Sequence, residues 1–235
     1  MYKELQDRFK KEIFKGTKTK EKALEKAYAD MSRRANGHEV SLKEKSISWL
    51  LHEDVFSSAL SCQSQEEFDS WHEQVCLKLK EIQGNFGRIG RSQKVINMGF
   101  KYLSCIDNTY NSILPFCHMT LDGYTLNWYK TIGGQWTKWS KIDDYSEYMK
   151  IQKDIRDYLR TNHTYFINIE EKTSRGIAIS KIPFEAEFVI WEGEITNAKY
   201  NDLIKCLKTY ALKDKQRDKW LIGDIFDNYL KHIEK

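Results

Sequence analysis

GRIGRSQKVINMGFKYLSC, residues 87–105, begins as a basic glycine loop and continues as a helix with almost no polar face. Val95, Ile96, Met98, Phe100, Tyr102 and Leu103 are apolar, yet Lys94 and Lys101 stand among them. Their seven-residue spacing brings the two lysines close to one side of a helix. A segment this apolar reads as the central helix of a core, so the two lysines need a reason.

Burying an ammonium without a partner is costly, and burial favours the neutral amine. A free amine is what a nucleophilic lysine needs. Lys94 falls in the first turn of the expected helix, where the positive end of the helix dipole pushes the same way. Lys94 is therefore a candidate nucleophile. The plainer alternative places Lys94 at a solvated helix mouth and has Lys101 snorkel or pair with an acid. Upstream, Gly87, Arg88, Gly90 and Arg91 form a basic, acid-free stretch whose amides suit a phosphate cradle, or else a simple solvated loop.

The 235-residue chain can bury a sizeable core. Its charged (31%) and aromatic (13%) content is that of a globular protein, not a disordered one. A net charge of +4 is too mild to assign a polyanionic partner by itself. No apolar run reaches the roughly 18 residues of a membrane span, and the charged N-terminus lacks a signal-peptide core. Five irregularly spaced cysteines without a CxxC read as reduced thiols, which predicts a cytoplasmic protein with no membrane association. His52, His72 and Cys76 do not make a metal set.

With prolines only at 115 and 183, helices are expected over the first two-thirds of the chain. Periodicity predicts helices over 2–15, with Leu5, Phe9 and Ile13 on one face, over 19–35, and over 91–106. Ser41–Glu44 and Ser64–Glu67 resemble capping boxes that open two more. A helix is expected from Asp122 to Thr131. Strands are expected at 165–171, 177–182 and 184–192, with a turn at TSRG, and two helices, 196–212 and 214–233, close the chain. The expected fold is mainly α (α+β), a helical bundle with a small antiparallel sheet. Residues 1–150 would form the helical domain, and 151–235 a β-containing part packed on it as one unit.

In LPFCHMTLDGYTLNWY (114–129), Asp122 suits an N-cap. A cap aspartate in a cleft is also a fixed, ionised carboxylate that can face developing positive charge. His118 is a candidate DNA contact or a satisfied loop histidine. Tyr124, Trp128 and Trp136 are candidate stacking platforms or core aromatics.

A lysine opening a helix after a glycine turn, then an aspartate opening a later helix, resembles the helix-hairpin-helix DNA glycosylases. Within these, KVINMGFK and CHMTLD are most similar to the archaeal-type 8-oxoguanine DNA glycosylases, over about residues 60–135. The resemblance implies Lys94 as a Schiff-base nucleophile and Asp122 as the catalytic carboxylate. Gly87, Arg88, Gly90, Arg91, Lys101 and His118 would hold DNA, and Tyr124, Trp128 and Trp136 would stack on a flipped base. The partner would be duplex DNA with a modified or damaged base, and no metal or cofactor would be required. The chain departs from the family at Gly87-Arg88-Ile89-Gly90, where the usual hairpin has two glycines around one apolar residue. It departs again at Thr120 and Leu121, which replace a proline.

Two other readings compete. RDYLRTNH (156–163) resembles the motif of HEPN ribonucleases, with Arg156 and His163 acting on RNA at a dimer interface. Alternatively, the chain is a non-enzymatic protein, either a DNA-binding module whose glycine loop holds phosphate without chemistry or an interaction protein.

Overall fold

A computed structural model of the chain describes residues 2–13, 19–33, 40–170, 173–195 and 198. The architecture is mainly helical with one small two-stranded antiparallel sheet. Among the described residues, no helix is long and apolar enough to cross a membrane.

The first helices are α1 (Tyr2–Arg8, running into a π-helical turn at Phe9–Ile13), α2 (Lys20–Ser32), α3 (Val40–His52) and α4 (Val55–Ser58). They are followed by α5 (Gln65–Ile82), α6 (Ile89–Leu103), α7 (Gly123–Thr131) and α8 (Tyr145–Thr161). Strands β1 (Thr164–Glu170) and β2 (Thr173–Ala178) precede helix α9, residues 183–195.

The opening stretch does form the central helix. On α6, Val95, Ile96, Phe100, Tyr102 and Leu103 are buried, and the helix packs along both α2 and α5. Ala23 and Ala27 on the inner face of α2 let the two backbones approach. From α5, Phe68, Val75, Cys76 and Leu79 enter the core at helical spacing. Each large apolar side chain buried in this way contributes roughly 1.5–3 kcal/mol. Gly99 is a packing requirement: a Cβ there would lie 2.3 Å from Cζ of Phe56, whose ring rests on α6 edge-to-face with Phe100.

Local signals placed several helix ends. The Ser64 side chain accepts the Glu67 amide, and the Glu67 carboxylate accepts the Gln63 amide in return. Ser41 is different. It lies inside α3, which has already begun at Val40, so it does not cap that helix. The 2–15 expectation is met by α1 and its π-helical turn as far as Ile13; residues 14 and 15 lie outside the described residues. The helix expected at 91–106 begins earlier, at Ile89, so Gly90 and Arg91 belong to its first turn and not to a loop, and Lys94 lies in the second turn, beyond the expected reach of the helix dipole.

The C-terminal expectations need three corrections. The strand expected at 177–182 stops at Ala178, where β2 ends. TSRG is not a turn: Thr173–Gly176 run in β2, with Gly176 opposite Phe166 and Thr173 opposite Glu170. Residues 184–192 are not a strand but most of α9. Pro183 opens that helix, where its fixed φ and missing N–H cost nothing. Phe184, Phe188, Val189 and Ile190 are all buried, so apolar residues on more than one face of the helix gave the segment its strand-like look. The sheet is tied to α9 by Tyr165, whose hydroxyl bonds Glu194 at 2.9 Å while its ring covers Gly193. The expected closing helices at 196–212 and 214–233 lie outside the described residues, apart from helical Ala198.

Candidate active site

Between Cys117 and Leu121 the chain runs through the interior, each residue buried, and none of them belongs to a helix or strand. The peptide groups of Met119, Thr120 and Leu121 are satisfied by side chains from the surrounding helices. Gln152 of α8 donates to the Met119 carbonyl at 2.8 Å and accepts the Met119 amide at 3.2 Å. The Thr120 amide donates to Glu187 of α9 at 2.8 Å, and the Thr120 carbonyl accepts the Thr125 hydroxyl at 2.7 Å. Gln93 of α6 grips both polar groups of Leu121. A buried backbone must find such partners or lose the free energy of its hydrogen bonds.

This segment delivers Asp122 to the start of α7. The carboxylate accepts the Tyr124 and Thr125 amides at 2.9 and 3.1 Å, and the Thr125 hydroxyl accepts the Asp122 amide at 2.9 Å, closing a capping box. The other carboxylate oxygen, Oδ2, is 3.8 Å from Nζ of Lys94, and the two side chains are 14% and 12% exposed. Burial pushes the Lys94 ammonium below the ordinary lysine value, although Asp122, Asp30 and Glu187 pull it upward. Nζ also sits over the Trp139 ring, 4.6 Å from its centre.

Both residues open on a cleft of about 670 Å³, a size suited to a small-molecule or nucleoside-sized group. Lys101, Glu187, Phe188 and Trp191 also line it, so α9 forms one wall. Trp136, 52% exposed, and Tyr124, edge-to-face with Trp191, also border it. Lys101 is paired with Glu187 in the interior, and Glu187 also holds the Thr120 amide. Burial raises the Glu187 carboxyl, against the pull of Lys101. Asp30 of α2 closes another side, bonded by the Tyr102 hydroxyl and by Arg33.

Of the residues singled out in the sequence, Lys94, Asp122, Lys101, Tyr124 and Trp136 meet at this cleft. The others do not. Trp128 is a core residue, 2% exposed and edge-to-face with Tyr158, so it is no stacking platform. His118 is buried and cannot contact DNA: its Nε2 donates to Asp69 at 2.7 Å and its Nδ1 accepts the Tyr148 hydroxyl at 2.8 Å.

The phosphate cradle also fails. The Gly87 amide bonds Gly84 and the Gly90 amide bonds Ile142. A Cβ on Gly87 would meet the Lys80 carbonyl at 2.1 Å, and one on Gly90 the Trp139 carbonyl at 1.7 Å. These glycines serve backbone packing, with no amide facing solvent. Arg91 stacks on Phe86 and bonds its carbonyl, while Arg88 lies near Asp143 and bonds the Gly87 carbonyl.

Arg156 and His163 are not brought into one site. Two parallel hydrogen bonds of 2.9 Å bind the Arg156 guanidinium to Asp69, leaving its side chain 11% exposed. His163 lies exposed beyond the end of α8.

Glu187, Trp139, Asp30 and Gln93 were not singled out in the sequence. Glu187 lies in the segment read as a strand, and the other three acquire their roles through contacts distant in sequence.

Comparison of the chain with models of protein families, with curated proteins and with solved structures finds no match.

Proposed function

We propose that this protein is a DNA base-excision glycosylase with lyase activity, in which Lys94 is the nucleophile and Asp122 the catalytic carboxylate. The observation that carries this reading is the buried Lys94 amine, 3.8 Å from the Asp122 carboxylate on one aromatic-lined cleft. The resemblance of KVINMGFK and CHMTLD to the archaeal-type 8-oxoguanine glycosylases supports the same assignment.

The chemistry follows from the two groups. A nucleotide flipped from the duplex enters the cleft, where Trp136, Tyr124 and Trp191 offer stacking faces. The neutral Lys94 amine attacks the sugar C1′, the glycosidic C–N bond breaks, and the base leaves with its bonding electron pair and takes up a proton. Opening of the sugar ring then gives a protonated Schiff base on Lys94. Asp122 faces the positive charge that develops at C1′ and on the lysine nitrogen, held in place by the amides of Tyr124 and Thr125. Desolvation that lowers the Lys94 pKa increases the fraction of amine free to attack.

The test is borohydride trapping on duplexes carrying an oxidised purine or an abasic site. Wild-type protein is expected to form a covalent adduct and Lys94→Gln none. Asp122→Asn, which retains a cap acceptor, is expected to bind DNA but release base on the order of 10²-fold more slowly. If wild-type protein traps on none of a panel of lesions, the glycosylase–lyase reading falls.

A further inference from the structure

Gln93 precedes Lys94 on α6, and Leu121 precedes Asp122 on the buried extended segment. The Gln93 amide bridges these two neighbours. Its Nε2 donates to the Leu121 carbonyl at 2.9 Å, and its Oε1 accepts the Leu121 amide at 3.1 Å. The same Nε2 donates to the Gly90 carbonyl at 2.8 Å, and the same Oε1 accepts from Asn97 at 3.0 Å. An amide side chain has two donor hydrogens and two acceptor lone pairs, and here all four are used. Gln93 is fully buried, so no water competes for these positions.

We infer that Gln93 is the positioning residue for the Lys94–Asp122 pair: by clasping the Leu121 backbone to α6, it sets the separation of amine and carboxylate. The role of that pair in catalysis rests on the function proposed above, but the geometric claim does not. Two features single out Gln93. Its clasp lies one residue from both reacting groups, whereas the similar clasp of Gln152 on Met119 lies farther back along the segment. It also joins the two elements that carry the pair, since Lys94 lies on α6 and Asp122 ends the segment. Asn97 extends the grip, because it bonds Tyr148 of α8 at 3.1 Å and His72 of α5 at 3.1 Å as well as Gln93. The amide is therefore anchored on the far side from the cleft.

A residue that only satisfied a buried backbone would affect stability and leave Lys94 alone. A positioning residue must also change the electrostatics that Lys94 feels. The experiment uses the full chain and reads the pH dependence of Lys94 acetylation by trace acetic anhydride, by mass spectrometry of the Lys94 peptide. Asp122→Asn is expected to lower the half-labelling pH of Lys94 by about one pH unit, since it removes the adjacent anion. Gln93→Met, similar in length but unable to make the clasp, is expected to lower it in the same direction. Gln152→Met should leave it at the wild-type value. In the Asp122→Asn background, Gln93→Met should add nothing, because its effect runs through Asp122.

A folded Gln93→Met protein with wild-type Lys94 titration overturns the proposal. So does a Gln152→Met shift as large as that of Gln93→Met, and so does an Asp122→Asn protein with unshifted Lys94. Should Gln93→Met fail to fold, amide exchange of the wild type decides instead. The Leu121 amide is expected among the slowest-exchanging of the chain, and exchange as fast as an exposed loop overturns the clasp. None of these readouts needs turnover. Absence of borohydride trapping with the expected titrations would remove the glycosylase reading and leave the positioning role standing, and the converse result would do the reverse.

Discussion

Lys101 and Glu187 form an ion pair with side chains only 6% and 2% exposed, and it joins α6 to α9 along the cleft. Removing one member strands the other. Lys101→Met is expected to cost about 3–5 kcal/mol near neutral pH, measured by urea denaturation. Glu187→Gln should cost less, because an amide oxygen still accepts the Thr120 amide. The Lys101→Met cost should shrink in acid. A carboxyl raised by burial contributes stability below its unfolded value, near pH 4.3, and that contribution is lost as pH rises through the folded value.

Lys94 should reveal itself by what its removal does to stability. Its ammonium is disfavoured by burial, so the charged form lowers the stability of the folded chain. Because the Asp122 carboxylate keeps its Tyr124 and Thr125 amides, Lys94→Met is expected to leave stability unchanged or raise it by up to about 1 kcal/mol. Asp122→Ala should instead lose about 0.5–2 kcal/mol with the α7 cap. Thermal denaturation of the two variants checks both signs. A clear loss in Lys94→Met would mark Lys94 as a structural cation.

Gly90→Ala should disturb the site from beneath. The new Cβ would lie 1.7 Å from the Trp139 carbonyl, a backbone atom, so the whole Trp139 segment must move. A loss of about 1–3 kcal/mol is expected, together with altered Lys94 labelling as the indole shifts off Nζ. Gly123→Ala is the control. Nothing stands within 4 Å of its Cβ position, and its stability should stay within about 0.5 kcal/mol of the wild type.

The polar core predicts a pH profile. Burial holds His72 well below the ordinary histidine value, and it lowers His118 too despite the adjacent Asp69. Burial alone would raise the Asp69 carboxyl, but hydrogen bonds from His118 and Arg156 hold it well below its usual range. All three groups have depressed folded values, so in each case the unfolded chain binds the proton first as pH falls. Stability is expected to be flat between about pH 7 and 8 and to fall below about pH 6.5 as the unfolded histidines protonate. It should fall further below about pH 4 as Asp69 follows. Urea midpoints measured from pH 8 to 3.5 test this. A profile flat down to pH 5 would contradict the buried, neutral imidazoles.

Much of this was legible where the cause was local. The apolar run after Lys94 marked a central helix, and Ser64 and Asp122 carried cap chemistry, whereas the pairing of Lys94 with Asp122 came from the family resemblance. The rest required partners remote in sequence. Glycines 87 and 90 look the same whether they expose amides to phosphate or admit a neighbouring backbone, and only the Lys80 and Trp139 carbonyls decide between these. His118 and Arg156 looked available until Asp69 engaged both. Residues 184–192 misled because a helix buried on several faces loses its periodicity, and Glu187 was hidden with it.

The chain between Cys117 and Leu121 holds a last consequence. Two backbones zipped into a sheet can slide by two residues and zip again, since every rung is alike. A backbone gripped by Gln152, Glu187 and Gln93, each rooted on a different helix, has no second setting to slide into. Asp122 therefore inherits a single address, written in side chains, and that address changes one substitution at a time.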